Sequence, residues 1–127
     1  MEYHLTIPGK FPSMNQFIGA NRKSVHAGNN MKRSSQREIA VYIMNSLRGK
    51  KIQTPIMISY TYYEQNKRRD LDNISGYFHK VFQDALVHCG IIKNDSWGEI
   101  CGFSDTFGVD KDNPRIEITL KEVNADE

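Results

Sequence analysis

The chain predicts a single α+β domain, a mixed sheet of about four strands packed against two main helices. Three observations carry that prediction. Several short segments alternate apolar and polar residues, one long segment repeats apolar residues at helical spacing, and no linker or internal repeat divides them. A length of 127 residues suits one compact domain with its own core. Six Phe, six Tyr and one Trp, with no low-complexity run, speak against disorder.

Tyr3, Leu5 and Ile7 alternate with His4 and Thr6, the period of a half-buried strand, and Pro8-Gly9 ends it. Residues 9–33, rich in Gly and Asn and poor in periodicity, read as a long functional or mobile loop. A first helix is predicted from Ser35, where Ser35 and Glu38 have capping-box spacing. Ile39, Ile43 and Leu47 give it an apolar stripe, and Gly49 closes it. After Pro55, the residues Ile56, Ile58, Tyr60 and Tyr62 share one face of a second strand.

The strongest helix is predicted over 73–88. Ile74, Phe78, Val81, Phe82, Ala85, Leu86 and Cys89 form one continuous apolar face, Asp72 or Asn73 is positioned to cap it, and Gly90 stops it. A turn at Lys93–Ser96 leads to strands predicted at about 97–104 and 115–122, and the tail 124–127 is expected to be frayed. No stretch approaches a membrane span, and the N-terminus lacks the apolar core of a signal peptide. Cys89 and Cys101 make neither a disulfide framework nor a zinc cluster, so a reducing cytoplasm is the expected compartment.

A net charge of +2 conceals an uneven distribution. Residues 21–51 carry eight bases (Arg22, Lys23, Lys32, Arg33, Arg37, Arg48, Lys50, Lys51) against Glu38 alone, a balance of +7. Residues 95–127 hold nine acids and three bases, or −6. The first segment suits a polyanion and the second offers carboxylates to a cation, although two solvated faces of opposite sign would read the same way.

The candidate chemistry sits in Lys67-Arg68-Arg69-Asp70-Leu71-Asp72-Asn73. On an extended segment Asp70 and Asp72 point to the same side, with Leu71 turned inward as an anchor. Paired carboxylates repel unless a cation lies between them, and hard oxygen ligands suit Mg²⁺ or Mn²⁺. Asp95 supplies a third acid from a turn. Lys67, Arg68 and Arg69 can offset the charge and contact phosphates. Lys80 faces away from the core, either to stabilise charge on a scissile phosphate or simply to pair with Asp84 at i+4. Taken alone, a D-x-D is as readily a turn or a helix cap. His79 reads as a solvated helix histidine, Tyr60, Tyr62 and Tyr63 as packing residues, and Trp97 as a local prop for the Asp95 turn.

The string Arg69-Asp70-Leu71-Asp72-Asn73, followed by Lys80, Asp84-Ala85-Leu86, Gly90-Ile91-Ile92 and Asn94-Asp95, resembles the RusA family of Holliday junction resolvases. Ile7-Pro8-Gly9 and Pro12-Ser13-Met14-Asn15 resemble the family's opening segment, so the likeness spans about residues 5–100. It implies a RusA-like domain over 1–127 and a Mg²⁺-dependent endodeoxyribonuclease, with Mn²⁺ as a possible substitute. By position, Asp70, Asp72 and Asp95 would be the metal ligands, and Lys80 would join them as the fourth catalytic residue. Lys80 stands about one helical turn further from the D-x-D-N string than the family pattern has it. The implied partner is a four-way DNA junction, bound through Lys67, Arg68, Arg69, Lys32, Arg33, Arg37, Arg22 and Lys23. The implied working unit is a homodimer with no membrane contact and no small-molecule cofactor. A branched-DNA-binding accessory protein of the same fold, or a hydrolase of RNA or nucleotides, remains an alternative.

Overall fold

A computed structural model describes residues 1–123; the tail 124–127 lies outside the described residues. The elements follow in the order β1 (Glu2–Pro8), α1 (Met14–Lys23), α2 (Val25–Leu47), β2 (Ile56–Glu64), α3 (Leu71–His88), β3 (Ile100–Val109) and β4 (Arg115–Glu122). The four strands form one sheet in the order β1-β4-β2-β3. β4 runs antiparallel to both β1 and β2, whereas β2 and β3 are parallel, so the sheet is mixed. α3 is the crossover that parallel pairing requires.

All three helices lie on one face of the sheet. The alternation seen in the sequence decides which strand residues meet them: Tyr3, Leu5, Ile7, Ile58, Tyr60, Tyr62, Ile116, Ile118 and Leu120 are all buried. The stripe of α3 buries Ile74, Phe78, Val81, Phe82, Ala85 and Leu86 against β2, with Tyr60 edge-on to Phe78 and Phe82 at 5.9 and 5.8 Å. Gly49 and Gly90 end α2 and α3 at φ of 75°, a left-handed conformation that favours glycine.

The main departure from expectation is a third helix. Residues 9–33 are not a long loop but hold α1 and the first third of α2. Ser13 and Gln16 form the capping box of α1, with Gln16 N–H donating to Ser13 Oγ at 3.1 Å and Ser13 N–H to Gln16 Oε1 at 2.8 Å. Ser24 caps α2 by accepting from Ala27 N–H at 3.0 Å. Gly28 weakens the helical signal, yet a Cβ there would collide with the Asn21 side chain, which lies over the glycine between α1 and α2.

Ser35 is not a cap but a buried residue within α2. Its hydroxyl lies 2.7 Å from the Tyr77 hydroxyl, which in turn donates to Met31 C=O at 3.2 Å and ties α3 to α2. Burial raises the Tyr77 pKa, and the hydroxyl remains a neutral donor. Strand β3 starts and ends later than expected, and the last strand matches its predicted bounds. Tyr77→Phe removes the partner of the Ser35 hydroxyl and the second donor to Met31 C=O in the α2–α3 seam. A loss of about 2 kcal/mol is expected, read as a lower urea midpoint with an unchanged m-value.

Candidate active site

The D-x-D string sits where β2 hands over to α3, and its position is set by the residue before it. Arg69 lays its guanidinium fork on Glu64, the last residue of β2, with Nε and Nη2 at 2.9 Å from Oε1 and Oε2. Its Nη1 donates to Phe11 C=O at 2.7 Å. Three good hydrogen bonds join the end of β2, the segment before α1 and the start of α3. Glu64 is buried, and the bidentate arginine satisfies both its oxygens. Arg69, expected on DNA phosphates, is thus occupied within the fold. Lys67 and Arg68 remain exposed beside it.

Asp70 occupies the N-cap position of α3 with extended φ/ψ of −69° and 149°, and Asp72 lies in the first helical turn. The segment is therefore a helix start rather than a strand. Leu71 does not turn inward; it is 56% exposed. The Asp70 side chain makes no capping hydrogen bond, so its oxygens are uncommitted. Both acids are exposed, at the helix end whose dipole stabilises negative charge. A cavity of about 410 Å³ opens beside Asp70, lined in part by Leu71, Ile74, Phe107, Val109 and Lys67.

Asp95 lies elsewhere. The 18 residues of α3 carry the chain about 27 Å from Asp70 before the next loop begins. That loop is tied to the opposite end of the sheet: Ile100 N–H donates to Ser96 C=O at 2.9 Å, and Ile56 N–H, at the start of β2, donates to Glu99 C=O at 2.9 Å. The chain alone thus keeps Asp70 and Asp72 two residues apart at the start of α3, where the helical turn replaces the same-side arrangement expected of a strand, and places Asp95 at the opposite end of the sheet. Among the described residues no group of three or more His, Cys, Asp or Glu is placed to hold a metal ion. Trp97 does not prop this turn either; it stands 95% exposed.

Lys80 is exposed on α3, eight residues and about 12 Å along the axis from Asp72. Asp84 accepts from Gln36 Nε2 at 3.5 Å rather than pairing with it. Arg22 and Lys23 end α1, while Lys32, Arg33 and Arg37 lie on α2. Arg33 and Arg37 border a shallow cavity of about 230 Å³ with His88 of α3. None of these cations has an ion-pair partner among the described residues.

A polar group beneath this surface is hidden in the sequence. His79 Nε2 donates to Asp105 Oδ1 at 2.7 Å, and Tyr62 Oη donates to the same oxygen at 2.8 Å. The imidazole lies between Tyr60 and Phe103, with centroids at 4.6 and 4.4 Å. His79 is thus half-buried and not solvated. Burial, and then Asp105, hold the Tyr62 phenol well above its ordinary pKa, so it serves as a neutral donor. A helix histidine two turns after Asp72 was the signal available; Asp105, beyond the predicted end of its strand, gave none.

Exposed carboxylates at a helix start beside exposed cations, on a small α+β scaffold, suit a cation and a polyanion. The family model for endodeoxyribonuclease RusA matches residues 8–121, nearly the whole chain, and the chain belongs to that family of nucleases. No curated protein matches it. Among the described residues, no helix is long and apolar enough to cross a membrane.

Arg69→Lys replaces a fork with a point charge that cannot serve both Glu64 oxygens and Phe11 C=O together. An expected loss of about 2 to 3 kcal/mol lies between the values for exposed and buried ion pairs, and denaturant unfolding measures it.

Proposed function

We propose that this chain is a Mg²⁺-dependent, structure-selective endodeoxyribonuclease that resolves four-way DNA junctions by paired nicking, and that it works as a homodimer. The observation that carries the reading is the pair Asp70 and Asp72, exposed and uncommitted at the start of α3 and flanked by Lys67 and Arg68. Two carboxylates from one chain fit the few protein oxygens that Mg²⁺ takes when it shares substrate phosphates, and Mn²⁺ accepts the same oxygens. Bound there, the ion supplies an activated water and neutralises charge during phosphodiester hydrolysis.

The remote Asp95 supports the dimer. A two-fold partner brings a second loop 93–99, and with it a third carboxylate, to each Asp70–Asp72 pair without either chain refolding. Two symmetric sites then match two symmetric strands. Lys80, about 12 Å along α3 from Asp72, is assigned to phosphates flanking the cut rather than to the reacting one. Arg22, Lys23, Lys32, Arg33 and Arg37 hold the DNA arms through contacts that salt weakens. The separation of Asp95 within one chain favours a second reading, a branched-DNA-binding protein that does not cut.

Asp72→Asn is expected to keep junction binding in a gel-shift assay and to lose Mg²⁺-dependent nicking of labelled junction by at least about a hundredfold. Nicking at the wild-type rate sinks the assignment, and binding without nicks by the wild-type chain in any divalent metal favours the second reading.

Mixing separately inactive Asp72→Asn and Asp95→Asn chains offers an independent check. If Asp95 acts across the dimer, the mixed dimer retains one intact site and recovers single-strand nicking. If all three acids act within one chain, both sites remain broken and nothing is recovered.

A further inference from the structure

We infer that the cavity between α2 and α3 is a seat for one backbone phosphate of a DNA arm, held by Arg33 and Arg37 of α2 and by His88 of α3. The inference rests on the nuclease reading above. It adds His88 to the residues that touch DNA and fixes the place on the arm that the protein grips.

The first observation is the make-up of the cavity. Of about 230 Å³, it is lined by Arg33, Gln36, Arg37, Ala40, Ala85 and His88, with no carboxylate among them. The two short alanine side chains leave room between the helices for a small anion. Guanidinium forks suit the oxygens of a phosphate, and an imidazole offers at least one N–H donor in either protonation state.

The second observation is that the fold leaves these charges unanswered. Arg33 and Arg37 stand one turn apart on α2, a spacing at which like charges destabilise a helix. Both are exposed, as is His88, and none of the three has an ion-pair partner among the described residues. Asp84, one turn before His88, is the acid nearest to them along α3, and Gln36 engages it with Nε2 at 3.5 Å from Oδ2. Glu38, the one acid of α2, is turned about 100° around the helix from Arg37. Cations held together without an acid have an anion as their natural partner.

The third observation is the placement of the cavity relative to the acids. Asp72, Lys80 and His88 recur on α3 at equal intervals, each about 12 Å of helix, so His88 lies about 24 Å from Asp72 with Lys80 midway. Each is turned about 80° further around the axis than the one before, and the last meets the cavity shared with α2. Phosphates of one strand recur about every 3.4 Å along B-DNA. An arm laid along α3 therefore reaches the cavity about seven base pairs from the cut. Acids, lysine and the arginine–histidine seat thus follow one another outward from the cut, the order that a nucleic-acid backbone requires and an acidic peptide does not.

Four-way junctions carrying a single neutral methylphosphonate at successive positions along one arm test the seat. Binding to the full chain is read by gel shift without divalent metal, so that no nick intervenes. One position, about seven nucleotides from the cut, is expected to bind about tenfold more weakly than its neighbours. The double variant Arg37→Ala/His88→Ala is expected to weaken the unmodified junction at least about tenfold and to abolish the penalty at that position, because phosphate and partners form one interaction. Lys23→Ala, at the end of α1, is expected to weaken binding and keep the penalty. Arg37→Ala alone is expected not to lower the urea midpoint, since it removes a repulsion.

A profile in which no position stands out overturns the proposal, as does a penalty that persists in full in the double variant, or one that Lys23→Ala removes equally. The nuclease reading fails separately. A chain that shows the positional penalty but never nicks junction in any divalent metal keeps this seat and loses the enzyme; a chain that nicks junction with a flat profile does the reverse.

Discussion

The bidentate contact of Arg69 with Glu64 is the constraint on which the candidate site depends. A carboxylate buried at the end of β2 is tolerable only with a partner for each oxygen, and the guanidinium fork supplies both at 2.9 Å. With a third hydrogen bond, from Nη1 to Phe11 C=O, the same side chain ties the segment before α1 to the start of α3. Asp70 and Asp72 follow immediately and inherit that rigidity. A pair of carboxylates on a free loop would have to order itself against its own repulsion whenever it bound a cation. Here the ordering is complete in the folded chain, and the helix dipole offsets part of the repulsion.

The parallel pairing of β2 and β3 sets a second constraint. A strand–helix–strand crossover carries the chain down α3 before β3 can begin, so whatever precedes β3 lies at the far end of the sheet from whatever precedes α3. Asp70 and Asp95 fall on opposite sides of that rule. No local rearrangement joins them, because α3 is packed along its length against Tyr60 and Tyr62. In the proposed dimer the separation becomes a means of control, since carboxylates divided between two chains make a complete site only when the partner is present. A nuclease built in this way would have no competent half.

Much of the fold was legible. The alternation of Tyr3, Leu5 and Ile7, and of Ile116, Ile118 and Leu120, marks strands because a strand's side chains change face at every residue. The stripe from Ile74 to Leu86 marks α3 because 3.6 residues close a turn. The signal failed at α1 and the start of α2, where Asn, Gly and Lys lower helix propensity and tertiary contacts decide the outcome instead: Phe17 against Tyr77, Ser35 on the Tyr77 hydroxyl, Gly28 making room for Asn21. The site was legible in part. Asp70 and Asp72 are neighbours in any fold, whereas the engagement of Arg69, the burial of His79 on Asp105 and the exposure of Trp97 depend on residues distant in the chain.

The sequence by itself determined the α+β class, the apolar faces of the sheet and of α3, the uneven charge and the closeness of two acids. Each of these is a property of neighbours in the chain, set by backbone periodicity and spacing. Only the tertiary structure decided which charges are spent within the fold and which stay free, how far Asp95 stands from the other acids, and which edge of the sheet is left open. Those depend on how β2, α3 and β3 are arranged in space, and no spacing along the chain encodes a distance across a crossover.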